Sequence, residues 1–404
     1  MIYADANGSH PPLPEVRDHV RKRIDSTLWA NPGAIHSLGG KLKDGLDRCR
    51  MMVADALGCD PAHVLWNSGS SESISTVFHS VLIQSPVERR LIYLPGTEHA
   101  AVLNGARFYE EKIGFEVRLI PVNHEGQVDV AWLEKQMKDF GAKTAIIACM
   151  AANNETGVIE PWEAIRDIAK KNSIPFFCDT TQWIGRFPFN FLTSGLDYAI
   201  VAGHKIGALP GAGCLLARDP GSLWPMVFGG GQEQGLRGGT QNYLAIETLA
   251  IACQTLSDKV AQSPVMNEMR ATFEKEIKRR FPTVVVIGDS QPRLPGTTLL
   301  GYPGLHGQAV QIELESQDIF VTTSAACSDN EPATSKVLRA MEVDDVLGRS
   351  VVRISLPLTA RVKDYEAILG ALTHAYEKLA ITIFTVSRKL LPLKSYPITN
   401  DVSF

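Results

Sequence analysis

Seven short apolar runs between residues 64 and 217 constrain this chain more than any other feature. They lie at 64–66, 90–94, 116–120, 144–150, 175–178, 198–201 and 213–217, and most show no alternation of polar with apolar residues. A strand without alternation has both faces covered, the condition of a mostly parallel sheet sandwiched between helices. Helix-like stretches separate the runs from residue 40 to 250, so the pattern predicts an α/β unit. Beyond residue 255 the texture changes to a charged helix at 266–280, strands at 282–288 and 351–356, and a closing helix at 365–379 that starts at Asp364. A length of 404 residues suits two domains. The division expected is a large domain over 13–255 and a smaller α+β domain built from 1–12 and 256–404. The tail at 381–404 suggests no function.

In a parallel sheet, ligands collect at the carboxyl ends of the strands. The run at 198–201 leads into Ala202-Gly203-His204-Lys205, and the run at 175–178 into Asp179-Thr180-Thr181-Gln182. A lysine at the end of a buried strand is poised to lose its charge by desolvation and to attack a carbonyl carbon as a free amine. The plainer alternative is a solvated loop lysine, and Asp179 tilts the balance against it. An amine and a carboxylate together meet two demands of pyridoxal phosphate, one holding the aldehyde and the other keeping the pyridinium nitrogen protonated.

Other segments admit two readings each. Asn67-Ser68-Gly69-Ser70-Ser71-Glu72-Ser73 follows a strand and opens a helix, so it is either a phosphate cradle or a serine-rich helix cap. His99 is either a ring-stacking, proton-moving imidazole or a structural helix start. The stretch 153–157 is a polar turn or the source of an amide for a ring hydroxyl, and the glycine-rich stretch 229–240 is a linker or a shaped loop that approaches a ligand. Cys327, in a small-residue polar stretch, is a candidate nucleophile, whereas Cys149, Cys178 and Cys214 read as inert core thiols.

A formal net charge of -4 with both signs scattered offers no basic stripe for nucleic acid and no polybasic segment for a membrane surface. Small-molecule chemistry is the expectation. The seven cysteines are dispersed without a Cys-x-x-Cys pair, which argues against a disulfide framework or a cysteine-rich metal site and for a reducing compartment. The start carries no basic-then-apolar leader, so a complete, cytoplasmic chain is expected.

Taken in order, these motifs resemble the class V (fold type I) pyridoxal-phosphate enzymes, and within them the NifS-like cysteine desulfurases. The resemblance runs from Asn31-Pro32 and His36 through 67–73, Thr97-Glu98-His99, 153–157, Asp179 to Gln182, Gly203-His204-Lys205 and Arg237-Gly238-Gly239-Thr240. It continues through 324–332, Val337-Leu338-Arg339-Ala340 and Arg353-Ile354-Ser355-Leu356. It implies conversion of L-cysteine to L-alanine, with sulfur carried on Cys327 as a persulfide for an unidentified acceptor protein, as in iron-sulfur cluster biogenesis. It also implies a homodimer whose active sites lie between subunits. By the same resemblance Lys205 holds the cofactor and shuttles the Cα proton, Asp179 pairs with the ring nitrogen, and His99 stacks on the ring and moves protons. Asn154 and Gln182 contact ring substituents, Ser70, Ser71, His204 and Thr240 hold the phosphate, and Arg353 clamps the substrate carboxylate, with Asn154 beside it.

Three departures from the family pattern stand out. Ala202 replaces a serine that often binds the phosphate, residues 5–11 lack the usual Ala-Thr-Thr-Pro, and the stretch from Cys327 to Glu331 is shorter than in the long-loop type. A selenocysteine lyase uses the same scaffold and stays open as an alternative. An aminotransferase would leave Cys327 without a task, and a non-catalytic scaffold for sulfur-carrier partners would not need Lys205, Asp179, His99 and Cys327 together.

Overall fold

The computed structural model describes residues 1–323 and 334–389. Along the chain its strands are β1 (Ile2–Tyr3), β2 (Val64–Asn67), β3 (Leu91–Pro95), β4 (Glu116–Ile120), β5 (Thr144–Met150), β6 (Phe176–Asp179), β7 (Tyr198–Ala202), β8 (Gly213–Ala217), β9 (Val285–Val286), β10 (Thr297–Gly301), β11 (Ile319–Phe320) and β12 (Val351–Ser355). Strands β2 to β8 form one sheet in the order β2-β8-β7-β6-β5-β3-β4. Only β8 runs antiparallel to its neighbours, β2 and β7; the remaining pairs are parallel.

The missing alternation has a direct cause. All of β5 is buried, and from Ile146 to Cys149 its alternate residues enter different cores. Ile147 and Cys149 pack with Leu57, Ile165, Phe176 and Leu249 on one face, while Ile146 and Ala148 pack with Phe78, Val102, Phe177 and Leu215 on the other. The run at 116–120 is the polar exception because β4 is the sheet edge, where charged Glu116 and Arg118 also discourage pairing with another chain.

A separate core lies among β9, β10, β12 and the helices Ser263–Arg280 and Val362–Lys389, filled by Met266, Phe273, Ile277, Leu300, Val352, Ile354, Ile368, Leu372 and Tyr376. Here the structure departs from the sequence expectations. The strand expected at 282–288 shrinks to β9, because Pro282 has no N–H to donate and Gly288 turns the chain at φ 73°. The central strand of this antiparallel trio, β10, was not expected at all. The closing helix starts at Val362, and Asp364 supports it by accepting the Arg361 N–H at 2.8 Å.

The first residues tie the two parts together. β1 pairs in parallel with β11, and bridges join Asp5 to Ser355 and Thr322 to Arg353. Further along, the His10 N–H donates to the His204 carbonyl at 2.8 Å and the Leu13 N–H to the Gly207 carbonyl at 3.0 Å. Among the described residues no helix is long and apolar enough to cross a membrane.

Candidate active site

Parallel strands β5, β6 and β7 end at Met150, Asp179 and Ala202, and β8 begins beside them at Gly213. A cavity of about 480 Å³ opens over these ends, within the range of roughly 300–1,000 Å³ usual for small-molecule sites. Ser70, Ser71, His99, Asn154, Asp179, Gln182, His204, Lys205 and Arg353 all line it, as does Ala202. Thr240 is exposed and does not line this cavity. Cys327 lies outside the described residues.

Local hydrogen bonds explain how the strand ends present these groups. The Thr180 hydroxyl donates to the Ile200 carbonyl at 2.7 Å and accepts the Ile200 N–H at 3.1 Å, so β6 and β7 stay in register up to Asp179. One oxygen of Asp179 accepts the Thr181 N–H at 2.9 Å. Lys205 closes a single 3-10 turn, Gly203–Lys205, in which a Cβ on Gly203 would lie 2.7 Å from the Ala212 carbonyl oxygen. Its Nζ donates to the carbonyls of Asn7 and Gly8, both at 2.6 Å. Burial, then the nearby charges of Arg186 and Arg353, lowers the Lys205 pKa to about 8. That shift increases the share of free amine near neutral pH.

His204 is lowered to about 4 by burial and then by Lys205, so at neutral pH it binds through a neutral ring rather than a charge. His99 serves both of its readings at once. It caps helix Ala100–Ile113 by accepting the Ala101 N–H at Nδ1, 3.1 Å away, which leaves the ring proton on Nε2 in the neutral form.

The helix Ser70–Ile83 opens with Gly69 at its N-cap and no side-chain cap. Instead, Asn67 accepts the Gly69 N–H at 3.0 Å and Glu72 accepts the Ser68 N–H at 2.8 Å. Ser70 and Ser71 are therefore not spent on capping, and the Ser70 hydroxyl lies 2.7 Å from that of Thr181. A Cβ on Gly69 would meet open space, whereas one on Gly213 would lie 2.7 Å from the Gly69 Cα. Glycine at 213 lets the helix terminus sit against β8.

Arg353 projects from β12 and donates to the Asn154 carbonyl at 2.9 Å and to the Asp5 carboxylate, while its Nε is buried without a partner. Gln182 donates to the Asn7 carbonyl at 3.0 Å, and its Oε1 is buried and unpartnered. Sequence reasoning had missed Asp5, Asn7, Gly8, Thr181 and Arg186 as parts of this network. The polar, glycine-containing stretch after β1 was the available signal, but its partners lie up to 348 residues away.

These groups fit pyridoxal phosphate. A helix N-terminus whose serines are not spent on capping suits a phosphate, a poised amine suits an aldehyde, a strand-end carboxylate suits a pyridinium nitrogen, and the orphaned Gln182 Oε1 suits a ring hydroxyl. The family model for Aminotransferase class-V matches residues 2–368. A cysteine desulfurase of Trichormus azollae is 30% identical over 381 residues, 94% of each chain. A solved NifS-like protein superposes with a TM-score of 0.85 at 28% identity, covering 94% of this chain and all of the other. A second solved structure, SspA in complex with cysteine, gives 0.75 at 26% identity over 88% of this chain and 99% of that one. With a parallel sheet that brings its amine and carboxylate to one cavity, the chain belongs to the class V aminotransferase family of pyridoxal-phosphate enzymes, and is NifS-like within it.

Proposed function

We propose that the protein is a cysteine desulfurase, converting L-cysteine plus the Cys327 thiol to L-alanine plus a Cys327 persulfide. The observation that carries this reading is the convergence of Lys205, Asp179 and Arg353 on one cavity. Of the relatives named above, one is a cysteine desulfurase and another is seen with cysteine bound. When bound, pyridoxal phosphate supplies an aldehyde for an amine and a ring that withdraws electrons from the substrate Cα.

The chain's own groups do the rest. Arg353 holds the substrate carboxylate through a charge-assisted pair, with Asn154 beside it. Lys205, as a free amine, would take the Cα proton and return it during formation of alanine. Asp179 would pair with the ring nitrogen, and His99 offers its Nε2 proton to the cavity. Ser70, Ser71 and a neutral His204 would hold the phosphate, while Gln182 would accept from the ring hydroxyl. Cys327 attacks the sulfur of the bound substrate; the Cβ–S bond breaks, and the sulfur stays on the enzyme until an acceptor protein collects it, in a process such as iron-sulfur cluster biogenesis.

We also read the working form as a cytoplasmic homodimer in which Thr240 serves the partner's phosphate site. Support comes from exposed Trp29, Ile35, Leu38, Met51 and Phe228, and from the position of Thr240 away from the cavity of its own chain. The two-domain division at residues 12 and 255 is supported by the separate cores around the two sheets. Purified protein should be yellow, and Lys205→Ala should lose both colour and turnover while staying folded. Cys327→Ser should keep the colour but accumulate no persulfide on mass spectrometry. Full alanine production by the serine variant would shift the assignment to a selenocysteine lyase, and a wild type that stays colourless with added pyridoxal phosphate would sink the enzymatic reading.

A further inference from the structure

Asn7 hydrogen-bonds three residues that line the cavity, Asn154, Gln182 and Lys205, although the family pattern is broken at this part of the chain. It is 2% exposed, and its polar groups are all engaged. The N–H donates to the Ser355 hydroxyl at 3.1 Å, and the side-chain amide donates to the Asn154 carbonyl at 3.1 Å and the Thr297 hydroxyl at 2.9 Å. Its Oδ1 accepts from Arg186 at 3.2 Å, and its carbonyl accepts from Gln182 at 3.0 Å and Lys205 at 2.6 Å. A buried amide with every partner satisfied has no alternative arrangement of similar energy, so the turn it builds is rigid.

We infer that Asn7 is a positioning residue for the reaction: it locks the turn whose two carbonyl oxygens, its own and that of Gly8, dock the free amino group of Lys205. The inference rests on the reading of Lys205 as the reactive amine. Two fixed acceptors, each 2.6 Å from Nζ, define two of the three directions around the nitrogen that lie off its carbon chain. In the ammonium form the third direction carries the proton to be delivered. In the neutral form it carries the lone pair. One dock therefore aims both the acid and the nucleophile without moving the lysine stem.

The dock also affects when the amine is neutral. Carbonyl oxygens only accept, so they favour the form with more N–H bonds. Burial and the guanidiniums of Arg186 and Arg353 drive the proton off, while Asp5 and Asp179 oppose them. Lys205 in turn acts on the two imidazoles facing it, His99 and His204. The carbonyl pair joins the acidic side of this balance without adding a charge that would repel the substrate carboxylate.

The test uses full-length, cofactor-free protein. Trace acetylation with acetic anhydride across a pH series, read at the Lys205 peptide by mass spectrometry, measures both the midpoint for the free amine and the reactivity of the neutral form. The wild type should show a midpoint near 8. Asn7→Ala should lower that midpoint by about one pH unit and reduce the limiting reactivity several-fold, because the carbonyls lose their anchor. Thr297→Val, which removes one hydroxyl partner of Asn7, should shift both in the same direction by less. Wild-type midpoint and reactivity in both folded variants would overturn the inference, as would loss of the fold in both, which would confine Asn7 to stability. In a parallel experiment, wild type is reduced with borohydride in the presence of pyridoxal phosphate. Absence of an adduct at Lys205 would count against the proposed function and leave the acetylation result to judge the dock by itself.

Discussion

Two buried carboxyl groups, those of Glu98 and Glu160, carry a cost that no catalytic role explains. Glu98 accepts the Met150 N–H, its second oxygen is buried without a partner, and burial followed by the charge of Asp179 holds its pKa well above the carboxylate range. Glu160 accepts the Val128 N–H at 3.0 Å, and burial pushes its pKa from 4.5 to about 8. Between those two values the folded protein binds more protons at Glu160 than the unfolded chain does, so stability falls as pH rises through the window. Glu160→Gln keeps an acceptor for Val128 and carries no charge. Its melting temperature should match the wild type near pH 5 and exceed it increasingly toward pH 8; equal gains at both would show that Glu160 is not protonated in the fold. Lys205 acts in the opposite sense, since its lowered pKa makes stability rise as pH climbs from about 8 toward 10.5.

At the scale of the element, the glycine-rich loop is shaped rather than slack. Its 3-10 turn Gln232–Gly235 places Glu233 and Gln234 at φ 49° and 58°, a left-handed conformation that non-glycine residues seldom adopt. What holds it is the buried Glu233 carboxylate, which accepts from Arg50 at 2.9 Å, the Trp66 N–H at 3.1 Å and Gln241 at 3.2 Å. A second tie pairs Arg237 with Glu72, in the first turn of helix Ser70–Ile83, at 2.8 Å. The loop is thus fastened to β2 and to the helix proposed to hold the phosphate. Glu233→Ala would strand Arg50 and the Trp66 N–H, and should cost about 3–5 kcal/mol in a urea titration. Retention of cofactor on dialysis should fall with it. A loss below about 1 kcal/mol would mean that the loop is held elsewhere.

At the scale of the whole molecule, several large apolar side chains stay open to solvent. Ile35 and Phe228 are 107% and 82% exposed, and Trp29, Leu38 and Met51 are also open to solvent. Large apolar side chains exposed side by side mark association surfaces. If Thr240 completes the partner's site, mixing Lys205→Ala protomers with Thr240→Ala protomers should restore one wild-type site in each mixed dimer, and activity with it. Failure of the mixture to recover, with exchange of protomers confirmed by mass, would place Thr240 in the service of its own chain. Phe228→Asp should shift the protein toward monomer in sedimentation and weaken turnover.

Much of this was legible along the chain because its signals are local. The unalternated runs marked β2, β3 and β5 to β8, since a strand covered on both faces must be apolar throughout, and abrupt switches to Asp179-Thr180 and Gly203-His204 marked where two of those strands stop. Tertiary structure alone decided the rest. β10 is a five-residue run whose place is set by β9 and β12 on either side, and the turn of Asn7 has meaning only against Lys205, 198 residues later. The sequence by itself determined the α/β architecture and the residue types brought to the strand ends, because periodicity and composition act over a few residues. Packing decided which carboxyls keep their protons, which carbonyls hold the lysine and which arginine meets Asp5, because desolvation and hydrogen-bond partnership are sums over neighbours that only the folded chain brings together.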